Sequence, residues 1–238
     1  MFRAPEVLSG LEMDKAGTRK RSVALNLPNK LTVSRIIIIP LFVAALMLNR
    51  ILSDPWAEMV GRWTALMLFI VATITDYLDG AIARARNLVT PFGQLFDPLA
   101  DKLLTMSAFV CLVEIETGSG SPVLPAWAVI LILGREFLVT GLRSLAASEG
   151  HVIQADKLGK HKTGWQLGGI IALLLGLAIS STLHYRLPGA HQHAMTFVME
   201  LLRDVVLISV LSLTVISGLE FLRKNWAIFS PAVDKVPD

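Results

Sequence analysis

Six apolar stretches dominate the chain, with approximate limits Leu31 to Leu48, Trp63 to Arg84, Gln94 to Glu116, Ala126 to Leu145, Gly164 to Leu183 and Met199 to Leu222. Each is long enough to cross a hydrocarbon core of about 30 Å as a helix. Open-edged strands are excluded there, because backbone N–H and C=O groups in lipid must be satisfied within the protein. The expected fold class is all-α and integral to a membrane, with six transmembrane helices. Composition agrees: 53% of the 238 residues are hydrophobic and 17% are charged. The mean hydropathy of +0.60 is too high for an ordinary soluble domain.

Lysines and arginines orient these helices. Arg3, Lys15, Arg19, Lys20, Arg21 and Lys30 precede the first stretch, Arg84 and Arg86 follow the second, Lys157, Lys160 and Lys162 separate the fourth from the fifth, and Arg223 and Lys224 close the sixth. The alternate connections carry only Arg50, Arg62 and Arg186. This bias predicts a protein of the cell (inner) membrane with both termini cytoplasmic. The same one-sided collar accounts for the net charge of +3 and the pI near 9.2, and it suits anionic membrane lipids better than nucleic acid. The first stretch starts some thirty residues in and lacks a small-residue cleavage site before "NRILSDPW", so it is not expected to be a cleavable signal. The expected organisation is a flexible basic segment over 1–24, a six-helix domain over 25–224 and a cytoplasmic tail over 225–238. Cys111 stands alone, so no intrachain disulfide is possible.

Against this apolar background, "DYLDGAIARARNLVTPFGQLFDPLAD" places Asp76, Asp79, Asp97 and Asp101 in or beside two of the spans. An ionised carboxylate at membrane depth must be paired, hydrated or bound to a cation. Spacings of three and four put each pair on one helix face, and the "TPFG" breaker suits a short turn that returns the chain antiparallel. Four converging carboxylates repel one another unless hard divalent ions neutralise them. Oxygen-only ligation selects Mg²⁺ or Mn²⁺, and the cluster has no His or Cys for zinc. Gly80 and Ala83 remove bulk near the aspartate face, Arg84 offers a bidentate contact to a phosphate oxygen, and Gly93 gives the turn its freedom. Together these residues predict a metal-bound diphosphate site.

Asp76, Asp79, Gly80, Ala83, Arg84, Gly93, Asp97 and Asp101 fit, without a gap, the pattern D-x2-D-G-x2-A-R-x8-G-x3-D-x3-D. On these residues the chain resembles the CDP-alcohol phosphatidyltransferases. The resemblance implies a six-helix membrane enzyme, commonly a homodimer, that displaces CMP from a CDP-linked lipid with an alcohol. Its active site would lie at the cytoplasmic ends of the second and third helices. Asp76, Asp79, Asp97 and Asp101 would hold two Mg²⁺ or Mn²⁺ ions, and Asp101 would also accept the proton of the attacking hydroxyl. Gly80, Arg84 and Thr90 match positions that contact the CDP portion, with Ala83 and Gly93 beside them. Asn29 and Thr32 bound a further CDP contact. The flanking "NLPNKLTVSRIIIIP", "FDPLADKLL", "REFLVTGLR" and "LGKHKTGWQ" resemble members that take CDP-diacylglycerol and glycerol 3-phosphate and make phosphatidylglycerophosphate.

Arg135, Arg143, Lys160 and Lys162, on or next to the cytoplasmic half of the fourth span and the following loop, are the candidates for the acceptor's phosphate. Simpler roles compete. Arg135 can pair with Glu136 or with a neighbouring helix, and Lys160 and Lys162 can belong to the basic collar alone. Arg86 is read as an anchor, the tryptophans near span ends as an interfacial belt, and His184, His191 and His193 as a solvated outer turn. The alternatives within the family are other acceptors: inositol phosphate, serine or phosphatidylglycerol. From another class comes a carboxylate-lined cation or proton carrier, which has no need of Gly80, Ala83, Arg84 and Gly93 in register with the aspartates.

Overall fold

The computed structural model describes the backbone of residues 27–86, 91–148, 150, 153, 157–187, 189 and 192–229, and the side chains of 34–48, 50–76, 102–148, 150, 153, 159, 161–187, 189 and 192–226. Among the described residues the chain forms helices and no strands: α1 (Leu27–Leu46), α2 (Leu48–Leu52), α3 (Pro55–Arg86), α4 (Pro91–Glu114), α5 (Ala126–Ser148), α6 (Lys157–Arg186) and α7 (Gln192–Phe229). Each of the six apolar stretches falls on its own long helix. Most of these helices overrun the apolar limits. α6 begins at Lys157, well before the apolar run, because a polar first turn can sit among lipid headgroups while its backbone still satisfies itself.

Among the described residues three helical segments are long and apolar enough to cross a membrane: Pro55–Asp76, His161–Arg186 and Gln192–Trp226. The described apolar part of α1, Ser34–Leu46, is shorter. Arg135, Glu136 and Arg143 interrupt the apolar run of α5. Large apolar side chains such as Ile37, Met67, Ile130, Phe137, Phe197, Ile208 and Leu219 face outward. A belt of this kind marks a surface made for lipid, and with the three spans it makes this a membrane protein.

Local chemistry sets the helix ends. Prolines open α3 and α4, where the missing N–H would have no helical partner anyway. The Asp54 carboxylate accepts a hydrogen bond from the Ala57 N–H at 3.3 Å and caps α3. Between α4 and α5 the chain turns tightly: the Thr117 N–H donates to the Ser121 carbonyl at 2.7 Å and the Val123 N–H to that of Ile115 at 2.8 Å.

Among the described residues the six long helices form a closed ring of neighbours. α1 packs on α3, α3 on α6, α6 on α7, α7 on α5, α5 on α4, and α4 back on α1. The core fills the middle with Phe42, Phe69, Leu112, Ile132, Leu173 and Phe221, and the Phe42 and Phe69 rings are 5.7 Å apart. Small residues allow close approach where lipid provides no hydrophobic drive. A side chain on Gly169 would stand 2.7 Å from Val206, and one on Gly176 would stand 2.6 Å from Met199. Polar locks fix the end of α3 remote from Asp76: the Trp63 indole donates to the Thr182 hydroxyl at 2.9 Å, and Arg62 donates to the Leu177 carbonyl at 3.2 Å. Among the described residues α1 packs more extensively on each of α3 and α4 than they pack on each other.

Candidate active site

The last turns of α3 carry Asp76, Asp79, Gly80, Ala83 and Arg84, and the first turns of α4 carry Gly93, Asp97 and Asp101. Both aspartate pairs therefore lie on helices, as their spacing requires for a shared face. Of these residues the described side chains include only Asp76. The side chains of Asp79, Ala83, Arg84, Asp97 and Asp101, and of Asn29 and Thr32 on α1, lie outside the described residues, as do Gly80 and Gly93 beyond their helical backbone and all of Thr90.

Asp76 does not stand alone. The guanidinium of Arg35 on α1 lies 2.8 Å from its carboxylate, with side-chain exposures of 2% for Arg35 and 39% for Asp76. A buried guanidinium needs a counter-charge, and the Asp76 carboxylate supplies one to Arg35. Arg35 is a site residue with only a faint mark in the sequence. Its signal was a charge inside "SRIIIIP", four residues into a span.

A second polar centre joins α4, α5 and α6. The Glu136 carboxylate accepts a hydrogen bond from Lys102 at 3.0 Å and is in contact with the ammonium of Lys162, whose side chain is 2% exposed. Arg135 approaches the same carboxylate to 3.7 Å. Arg143, two turns on, rests its guanidinium 5.5 Å from the centre of the Phe221 ring, a cation–π contact. Of the candidates for an acceptor phosphate, Arg135 and Lys162 are thus brought together by Glu136, and Arg143 is held by α7. The side chain of Lys160 lies outside the described residues.

Lys102, Arg135, Arg143 and Lys162 contribute four cations, and among the described residues Glu136 is the carboxylate that meets three of them. Among the described residues the buried Nε atoms of Arg135 and Arg143 have no hydrogen-bond partner. Such a cluster favours an anion. It is tied to the aspartates through Lys102, which follows Asp101 on α4. The pairing expected of Arg135 with Glu136 exists, but Glu136 is bonded more closely to Lys102 and Lys162.

Elsewhere the chemistry is sparser. Among the described residues no group of three His, Cys, Asp or Glu could hold a metal ion. His184 lines a polar cavity of about 240 Å³ with Glu58, Arg62, Glu116 and Gln192, at the end of α3 remote from Asp76. Cys111 is buried and free.

Comparison with known proteins decides the family. The sequence profile described as CDP-alcohol phosphatidyltransferase matches residues 25–216. The chain belongs to the CDP-alcohol phosphatidyltransferase family. Within that family it is 39% identical over 209 residues to the CDP-diacylglycerol--glycerol-3-phosphate 3-phosphatidyltransferase of Bacillus subtilis, an alignment covering 84% of this chain and 95% of that one. The protein of the same name from Rickettsia felis is 35% identical over 198 residues, covering 83% and 94%. A cardiolipin synthase (CMP-forming) of Oryza sativa is 34% identical over 179 residues, covering 72% of this chain and 52% of that one. In this family member the matched region includes both aspartate pairs, Arg35 and the Glu136 centre.

Proposed function

We propose that the protein transfers the phosphatidyl group of CDP-diacylglycerol to sn-glycerol 3-phosphate, forming phosphatidylglycerophosphate and releasing CMP. The observation that carries this is the 39% identity, over nearly the whole of both chains, to a relative named for that reaction. The cation-rich centre around Glu136 supports an acceptor that brings a phosphate of its own.

Asp76, Asp79, Asp97 and Asp101 would hold two Mg²⁺ or Mn²⁺ ions. The donor set fits: four carboxylates, at helix spacings that put each pair on one face, are oxygen ligands for hard cations. When bound, such ions neutralise the diphosphate and stabilise the leaving CMP. Asn29, Thr32, Gly80, Ala83, Arg84, Thr90 and Gly93 receive the CDP portion. Arg135, Arg143, Lys160 and Lys162 receive the acceptor's phosphate and so hold its free hydroxyl toward the phosphorus next to the lipid. That hydroxyl oxygen forms the new P–O bond, its proton passes to Asp101, and the bond to the CMP phosphate breaks.

The same proposal places six spans in the cell membrane, both termini in the cytoplasm, the site at the cytoplasmic ends of the second and third spans, and two copies in a homodimer. The basic collar supports the orientation. The domain would run over 25–224. Phosphatidylglycerol is the runner-up acceptor, because a relative is named as a cardiolipin synthase. Its phosphodiester carries less charge than a phosphomonoester and makes poorer use of the cations. The test is CMP release by purified protein from CDP-diacylglycerol with Mg²⁺ and a panel of acceptors: glycerol 3-phosphate, serine, inositol phosphate and phosphatidylglycerol. Turnover with glycerol 3-phosphate above the others is expected. Preference for another alcohol would overturn the acceptor, and no CMP with any of them would overturn the reaction.

A further inference from the structure

Two buried side chains near the cation centre have polar atoms without partners, and neither carries a charge that would mark it in the sequence. Gln166 on α6 is 6% exposed and Thr214 on α7 is 2% exposed. Among the described residues neither the Gln166 amide nitrogen nor the Thr214 hydroxyl has a hydrogen-bond partner. Thr214 departs from the habit of threonine in these helices, since the hydroxyls of Thr73, Thr182 and Thr196 each donate to the carbonyl four residues back. A buried polar group left unmatched is costly, and native interiors pair nearly all such groups.

Both face the cation centre. Gln166 is one helical turn from Lys162, so the two share a face, and Lys162 touches Glu136. Thr214 is one turn from Gly218, where a side chain would stand 3.2 Å from the Arg135 Cγ. The register of α6 against α7 agrees. Gly176 meets Met199 and Leu202, and Gly169 meets Val206 and Val210. Continued antiparallel, this pairing sets Thr214 beside the turn from Lys162 to Gln166. An amide donor and a hydroxyl thus lie next to cations suited to a phosphate, on the side away from the cytoplasmic start of α6.

We infer that Gln166 and Thr214 read the acceptor's second hydroxyl, the central one of glycerol 3-phosphate, which does not react. This rests on the acceptor proposed above. The Gln166 amide donates to that hydroxyl oxygen, and Thr214 either accepts its proton or donates beside it. The pair selects a three-carbon polyol phosphate over a phosphate that lacks the central oxygen. Phosphate recognition by the cations alone makes no such choice.

The experiment compares glycerol 3-phosphate with 3-hydroxypropyl phosphate, which keeps the phosphate and the reacting hydroxyl but lacks the central one. The readout is the ratio of kcat/KM for the two acceptors at saturating CDP-diacylglycerol, in the full chain and in Gln166→Met and Thr214→Val. The full chain should prefer glycerol 3-phosphate by about ten- to hundredfold, the value of one or two hydrogen bonds in a buried site. In each variant that preference should fall by about tenfold, through loss with glycerol 3-phosphate and little change with the analogue. A purely structural role would lower both rates together and leave the ratio unchanged, which would overturn the inference. Should either variant be too slow to assay, equilibrium binding of the two acceptors reads the same ratio. A full chain that uses neither acceptor sinks the proposed acceptor itself. One that uses glycerol 3-phosphate without preferring it sinks only this inference.

Discussion

The guanidinium of Arg35 lies 2.8 Å from the carboxylate of Asp76, joining the first long helix to the one that opens the aspartate motif. Arg35 is almost fully buried and has Asp76 as its counter-charge, so the pair fixes where that carboxylate points. Arg35→Ala should therefore lower CMP release at saturating Mg²⁺ by about tenfold or more, the loss expected for a charge-assisted contact that orients a working group. Arg35→Lys keeps the charge without the planar fork and recovers part of the rate. Full activity in Arg35→Ala would reduce the pair to a helix clamp.

Asp97→Asn keeps the shape of the side chain and removes the charge that would offset a divalent ion. Turnover should be nearly abolished, and a Mg²⁺ titration of the residual activity should shift to higher concentration. Asp101→Asn should be equally slow, but with the affinity for CDP-diacylglycerol largely retained if its main work is to take the proton of the attacking hydroxyl. Near-normal rates in Asp97→Asn at ordinary Mg²⁺ would remove it from the metal site.

Glu136 holds Lys102 and Lys162 and lies 3.7 Å from Arg135. Removing its charge leaves three cations facing one another inside the bundle, and breaking a buried pair in this way costs on the order of 3 kcal/mol. Glu136→Gln should therefore melt at a lower temperature in detergent. Adding Lys162→Met removes one of the stranded cations and should restore part of the loss, a coupling that independent sites would not show. Additive melting shifts would mean that Glu136 and Lys162 do not act as a pair.

Much of this architecture was legible because hydropathy reports on lipid directly. Each apolar stretch became its own helix, and the aspartate spacing of three and four landed on helices as expected. Helix ends were less legible, since α6 starts at Lys157 among polar residues that an apolar window ignores. The partners were hidden for a different reason. Arg35 in "SRIIIIP" carries no local sign that its counter-charge lies on α3, and Lys102 carries none that Glu136 on α5 lies against it. Gln166 and Thr214 are uncharged residues in apolar runs, and their interest comes only from being buried without a partner. Contacts between helices are set by the packing of the ring, which no local pattern encodes.

The final prediction concerns Arg143, whose guanidinium rests 5.5 Å from the centre of the buried Phe221 ring. The ring holds the charge in place, but it cannot satisfy the Nε donor, which has no hydrogen-bond partner among the described residues. An arginine held this way is set to receive an oxyanion. Arg143→Ala should raise the KM for glycerol 3-phosphate by about ten- to hundredfold, the equivalent of a contact of roughly 1.5–3 kcal/mol. The KM for CDP-diacylglycerol should change little, since its diphosphate is assigned to the aspartate end and Arg84. Phe221→Leu keeps the arginine and removes the ring, so its effect should be in the same direction and smaller, near the 0.5–2 kcal/mol range of a cation–π contact. Steady-state kinetics with each substrate varied in turn separates the outcomes. An equal loss for both substrates would make Arg143 a structural residue of the α5 and α7 interface and shift the acceptor toward an uncharged alcohol.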